Sequence, residues 1–161
     1  LAKVDMDIEE AMGKLMLPIQ QKMVAIGFLI EAEAKRNCPV NLGRLRASIT
    51  TNWSRSELGT RSGETFSLGS GIKVTASRDG VGEPKAKDNE FIVVVGNNVE
   101  YGAYVELGTG IYAEGGGGRQ TPWVYPTQDG KFVWTNGMRP VAYLRRAFEK
   151  YRSKIMNLGK V

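Results

Sequence analysis

Histidine, the commonest general base and the commonest metal ligand, does not occur in this sequence. A Ser-His-Asp or Cys-His site within the chain is thereby excluded. The one cysteine, Cys38, allows no intramolecular disulfide. A zinc site would have to combine that thiolate with carboxylates, a poor ligand set. The expectation is therefore a chain that is not an enzyme, with no catalytic residue, no cofactor and no metal. Three carboxylates could still be paired for acid–base work on a glycosidic bond: Glu100, Glu106 and Glu114. Each fits equally well as a surface or ion-pair group. Glu106 stands apart because it lies in an apolar, aromatic stretch, YGAYVELGT at 101–109. A carboxylate partly buried there needs a partner. Arg44, Arg46 and Arg139 are the candidates, and a structural ion pair is favoured over catalysis.

Two other patterns invite binding chemistry. GTGIYAEGGGG at 108–118 looks like a phosphate loop, but no GK[ST] follows and no apolar strand leads into it. A mobile glycine-rich arm is the better reading. Trp123, Tyr125, Phe132 and Trp134 cluster beside Lys131. Aromatic side chains near cations can stack on bases, and they are also what protein interfaces select. On a hairpin too small to bury them, the interface reading prevails.

The net charge of +5 is unevenly spread: residues 1–40 sum to −1, residues 41–138 to zero and residues 139–161 to +6. A nucleic-acid footprint would spread further. A local basic helix suits an acidic partner surface, DNA passing through a channel, or a solvated face. No apolar run reaches the roughly 20 residues of a membrane span, and no membrane partner is expected. The acidic start, LAKVDMDIEE, lacks the layout of a signal peptide, and its leading Leu suggests a missing initiator Met. A single thiol fits folding in a reducing cytoplasm.

The elements that must position these residues follow from periodicity. Ile8, Met12 and Leu15, then Ile19, Met23, Ile26, Ile30 and Ala34, form helical stripes on either side of Pro18. Pro18 implies a kink or two helices, and Pro39 stops the helix near Asn37. Lys22, Glu31, Lys35 and Arg36 fall off the stripe. A turn at 41–43 precedes an alternating strand at 48–53. Residues 55–71 read as a loop or hairpin, 71–77 as a strand and 78–89 as an exposed turn. EFIVVV at 90–95 is a β-branched run, expected as a central strand with little exposure on either face. A short helix at 101–107 would align Tyr101, Tyr104 and Val105 and end in a left-handed cap at Gly108. A hairpin follows, with strands at 123–125 and 131–135 around Asp129-Gly130. Pro140 would open a last helix lined by Leu144, Phe148, Tyr151, Ile155 and Leu158 and stopped by Gly159. The expected fold is one α+β domain over 1–161. An antiparallel sheet carries the long N-terminal helix and the C-terminal helix on one face, with an inserted hairpin and long Gly-rich loops.

Three blocks now stand in order: EAEAKRNCPVNLGRLRASI at 31–49, VVVGNNVEYGAYVELGTG at 93–110 and MRPVAYLRRAFEK at 138–150. Together they resemble the tail-component family of lambdoid, siphovirus-type phages, the gene-product-ten type. The matching positions are Ala34, Lys35, Pro39, Gly43, Arg44, Leu45, Arg46, Ser48 and Ile49 in the first block. In the second they are Tyr101, Tyr104, Val105, Glu106, Gly108 and Thr109, and in the third Arg139, Pro140, Leu144 and Ala147. The family turn often reads valine-aspartate-threonine-glycine, where this chain has Val40-Asn41-Leu42-Gly43, and the 55–89 region is long. The resemblance implies a structural virion protein of the neck or tail, assembled in the bacterial cytoplasm, that acts in head–tail joining or tail completion. It implies a ring of its own copies, with a hexamer as the expected form, that contacts neighbouring connector and tail proteins; non-specific contact with DNA passing through the channel is what the basic C-terminal helix would add. A tail terminator or head-side connector ring is the alternative within that class. A nucleic-acid-binding module using the basic C-terminal helix is the alternative outside it.

Overall fold

The computed structural model describes residues 8–40, 43–54, 65–68, 72–75, 81–87, 90–127 and 129–158. Four helices run in the order α1 (Ile8–Asn37), α2 (Arg44–Ser48), α3 (Gly102–Leu107) and α4 (Tyr143–Met156). The strands are β1 (Thr50–Trp53), β2 (Thr65–Leu68), β3 (Ile72–Thr75), β4 (Val93–Gly96), β5 (Trp123–Pro126) and β6 (Phe132–Thr135). The α+β class holds. Among the described residues the strands form three antiparallel pairs, β1–β4, β2–β3 and β5–β6, rather than one sheet.

α1 continues through Pro18, so the single long helix stands and the alternative of two separate helices falls. It ends at Asn37, two residues before Pro39, as the steric restriction on the residue before proline requires. Its buried surface is broader than the expected stripe. Ile30, Ala34 and Cys38 meet Tyr143 and Ala147 of α4 in the main core, with Leu45 and Ile49 closing it from α2 and the entry to β1. Val24 turns instead toward Trp53, whose ring stands edge-on to Phe28 with centroids 6.1 Å apart. Gly27 is the point of closest approach to the β1–β4 pair: a Cβ there would stand 2.7 Å from Thr51 Cγ2 and 2.9 Å from Val93 Cγ1. A side chain of any size would push the helix off the strands.

Several expectations need correction. α2 was not foreseen. It is only five residues long, too short for periodicity to show, and it starts from Gly43 at φ +75°. Ser48 Oγ closes its turn by donating to the Leu45 carbonyl at 2.8 Å. β4 is not a central, doubly covered strand: it pairs with β1 alone among the described residues, and all four of its residues are half-buried. α4 begins at Tyr143, three residues after Pro140, because Ala142 adopts the left-handed conformation (φ 51°, ψ 44°) and breaks the helical path. Phe148 is half-exposed rather than part of the buried face, which belongs to Tyr143 and Ala147. The turn positions 41–42, most of the 55–71 loop, residues 76–80 and 88–89, the side chains of Ile8, Met12 and Leu15, and Gly159 lie outside the described residues.

Candidate functional site

The 101–109 segment folds as a short helix and a sharp exit. α3 spans Gly102–Leu107, and Gly108 leaves it at φ 80°, ψ 175°. This positive φ lies outside the left-handed helical cap that was expected. Gly108 needs to be glycine for a second reason. A Cβ there would be 2.8 Å from the Met138 and Tyr112 carbonyl oxygens and from Pro140 Cδ. Tyr101 and Tyr104 do not join Val105 on a buried side: Tyr104 is 62% exposed, and Val105 alone packs on the main core.

Glu106 has a partner, but not an arginine side chain. Its Oε2 accepts from the Leu144 N–H at 2.9 Å and its Oε1 from the Arg145 N–H at 3.0 Å. These are first-turn amides of α4, which have no acceptor within the helix. The backbone continues the same attachment. Val141 N–H donates to Val105 O at 2.9 Å and Ala142 N–H to Glu106 O at 3.3 Å. Glu106 thus caps α4 from another element and brings a negative charge to the positive end of its dipole. None of Arg44, Arg46 and Arg139 pairs with it; Arg44 and Arg46 are exposed on α2, and Arg139 lies over the Tyr112 ring at 4.9 Å. Nearby, Tyr143 is fully buried and accepts from Asn97 Nδ2 at 2.6 Å. Burial, reinforced by the Glu106 charge, raises its phenol well above the ordinary value. Cys38 is also raised by burial, so it stays a protonated core thiol.

The glycine-rich stretch after Thr109 is held in place rather than free. Thr109 N–H donates to Met138 O at 2.8 Å, Ile111 N–H to Asn136 O at 3.0 Å and Glu114 N–H to Leu107 O at 2.9 Å. Thr109 Oγ1 accepts from Met138 N–H at 2.9 Å. A Cβ on Gly110, Gly118 or Gly137 would collide with backbone, whereas Gly115, Gly116 and Gly117 face open space. Glu114 is further fixed by Arg145 at 2.7 Å. The glycines therefore serve close backbone packing over most of this stretch, and neither a phosphate cradle nor a loose arm describes it.

The hairpin stands where the sequence put it, with Trp123 opposite Thr135 and Pro126 opposite Phe132. One face carries Val124, Pro126, Phe132 and Trp134, since directly opposed residues share a face. Phe132 is 74% and Trp134 62% exposed. Tyr125 is exposed on the other face, and Trp123 is half-buried with Arg119 over its ring at 5.7 Å.

The three sequence blocks converge in one place. Ala34, Leu45 and Ile49 come from the first, Val95, Val99 and Val105 from the second, and Val141, Leu144 and Ala147 from the third; all sit in or against the main core. Pro39 is exposed just past α1, Ser48 is buried at the end of α2, and Gly108, Thr109 and Pro140 meet where the second and third blocks touch. Asn97 and Tyr143, which join those two blocks, were missed; polarity inside an otherwise apolar run was the only signal for either. Among the described residues no group of His, Cys, Asp or Glu could hold a metal, and no helix is long and apolar enough to cross a membrane.

No curated protein and no solved structure matches this chain. The profile of one protein family, described as "Bacteriophage HK97-gp10, putative tail-component", matches residues 7–108. The match takes in the first block and all of the second but its last two residues, Thr109 and Gly110, and ends at Gly108, before the third. The core ties that third block to the other two. The chain belongs to the HK97-gp10-like family of phage tail components.

Proposed function

We propose that this chain is a non-enzymatic structural subunit of the virion that acts in head–tail joining or tail completion as a ring of its own copies. Neighbouring connector and tail proteins are its other partners. The observation that carries this reading is the β5–β6 hairpin, whose apolar face of Val124, Phe132 and Trp134 is uncovered. A protein that worked alone would have little reason to present such a face to water. The 101–109 segment supports the reading indirectly, as the platform that caps α4 and anchors the base of the hairpin. In this role Tyr101, Tyr104, Arg44 and Arg46, all exposed, are the motif residues free to meet a neighbour. The test is a phage lacking the gene. Electron microscopy should show filled heads and tails that remain unjoined, or tails that end abnormally, with joining restored by the protein supplied in trans. Normal virions from such a phage would refute the reading.

Binding of DNA as the main role is less well supported. α4 carries five basic side chains, but Arg145 pairs with Glu114, Lys150 with Glu33 at 2.9 Å and Arg152 with Glu149 at 3.5 Å. Much of the basic excess is spent on intramolecular pairing.

A further inference from the structure

The β1–β4 pair has two outer edges, and they are treated differently. Ser54 N–H donates to Ile92 O at 2.9 Å, which sets the hydrogen-bonded pairs as 54–92, 52–94 and 50–96. The amides of Thr51 and Trp53 therefore point outward from β1, and those of Val93 and Val95 outward from β4. Both outward amides of β1 are capped. Thr51 N–H donates to Glu31 Oε2 at 2.6 Å and Trp53 N–H to Asn52 Oδ1 at 2.9 Å. On β4, Val93 and Val95 have no such acceptor among the described residues. That open edge lies in an apolar groove of about 550 Å³, walled by Met23, Ile26 and Gly27 of α1 and by Leu144, Phe148 and Ile155 of α4.

The two edges of the hairpin also differ, by one donor. Thr127 N–H donates to Lys131 O at 2.7 Å, so the hydrogen-bonded pairs are 127–131, 125–133 and 123–135. Val124 and Pro126 face the outer edge of β5, where Pro126 has no N–H to offer. Phe132 and Trp134 face the outer edge of β6, with backbone groups that have no partner among the described residues. Their side chains share the uncovered face.

We infer that β6 of one copy adds to the open edge of β4 in a second copy, giving an intermolecular sheet in the order β1–β4–β6–β5 with Phe132 and Trp134 seated in the α1–α4 groove. The β1–β4 pair blocks the β1 edge and leaves the β4 edge open; in the hairpin the β5 edge lacks a donor at Pro126, whereas the β6 edge keeps both of its outward amides. The two fuller edges lie beside complementary apolar surfaces. An unblocked edge next to apolar surface is a template for strand addition. A two-stranded hairpin is marginal alone and gains by joining a larger sheet. Phe132 and Trp134 would supply roughly 300–500 Å² of the about 800 Å² per partner that a stable interface needs, and Val124, Pro126 and the paired backbone add to it. The contact joins different surfaces of the two copies, so it repeats head to tail and closes into a ring or continues as a filament. The inference deepens the ring reading and rests on it for self-association.

The test uses two variants of the whole chain, each killing one half of the contact. Phe132→Lys with Trp134→Lys disables the hairpin, and Phe148→Glu, at a half-exposed position on the groove wall, disables the groove. Circular dichroism should show both folded as the wild type. By analytical ultracentrifugation the wild type should form rings or longer assemblies, and each variant alone should be monomeric, with self-association weakened at least about 100-fold. An equimolar mixture should stop at a one-to-one dimer, because one intact hairpin and one intact groove remain. In the assembled wild type, hydrogen exchange should slow at Val93, Val95, Phe132 and Trp134. Rings from either variant alone, or no heterodimer in the mixture, would overturn the inference. So would a wild type that stays monomeric, even if phage lacking the gene still fail to join heads to tails. Conversely, a dimer in the mixture alongside normal virions from the null phage would sink the functional reading and leave this contact standing.

Discussion

Glu106 caps a helix to which it does not belong, and that decides what its loss should cost. Removing an N-terminal cap costs about 0.5–2 kcal/mol, and a carboxylate at the positive end of the dipole adds some tenths. Glu106→Ala should therefore destabilise the protein by about 1–2 kcal/mol in urea denaturation. Glu106→Gln keeps one acceptor oxygen and should lose roughly half as much. An equal loss in both variants would mean that packing, not acceptance from Leu144 and Arg145, is what Glu106 contributes. Two residues earlier than this first turn, Ala142 sits at φ 51° without the freedom of glycine. A left-handed alanine costs about 1–2 kcal/mol, and glycine gives back up to about 1 kcal/mol of that through its greater unfolded-state entropy. Ala142→Gly should thus stabilise by about 0.5–1 kcal/mol, read as a rise in the denaturation midpoint. Sequence could show that Glu106 needed a partner, since a carboxylate among Tyr, Val and Leu is costly. It could not show which, because the acceptor's partners are backbone amides brought in by the path of the chain between Arg139 and Tyr143.

At the level of elements, what the sequence showed well was anything with a period or a turn signal. α1, α3, the hairpin and α4 were legible for that reason. α2 was not, with five residues and one buried leucine. Nor was the second buried face of α1, where Val24 and Phe28 meet Trp53 but Gly27 and Glu31 break the apolar stripe. Glu31 looked like a solvated charge off the stripe, yet it is buried and accepts from Thr51 N–H while Lys35 donates to its other oxygen at 2.7 Å. Glu33, equally buried by exposure, ties α1 to α4 through Lys150 and to its own helix through Arg36 at 3.0 Å. The hydrogen bond from Lys150 holds the Glu33 carboxyl below its ordinary 4.5; burial acts in the opposite direction, and the charges of Lys150 and Arg36 lower it further. A depressed carboxyl contributes stability that is present above its unfolded value and lost as pH falls through the folded one. The wild-type thermal midpoint should accordingly drop on acidification below 4.5 more than that of Glu33→Gln, with the two curves converging at the acid end. Parallel curves would show that the bridge between the two long helices contributes nothing that titrates.

For the molecule as a whole, three blocks far apart in the sequence meet in one core. Their buried residues hold the architecture together. Of the two surfaces proposed for assembly, the hairpin face lies outside the blocks, whereas the open edge of β4, Val93–Gly96, begins the second. Sequence places +6 in residues 139–161, but charge counted along a chain ignores what each side chain touches. On α4, Arg145, Lys150 and Arg152 are held by carboxylates. Lys154 lies over the Tyr151 ring at 5.6 Å and has no ion-pair partner among the described residues, and neither has Arg146. If duplex DNA met all five basic residues of α4, the logarithm of affinity would fall with the logarithm of salt at a slope of about −4.5, at 0.9 per phosphate. With only Arg146 and Lys154 of α4 available, the slope should be about −2 and the binding weak. Fluorescence anisotropy of a labelled duplex across a salt series measures this directly. A slope near −4.5 would mean that DNA pulls the arginines and lysine off Glu114, Glu33 and Glu149, and would favour the nucleic-acid reading. A slope near −2 would fit a subunit past which DNA slides without being gripped.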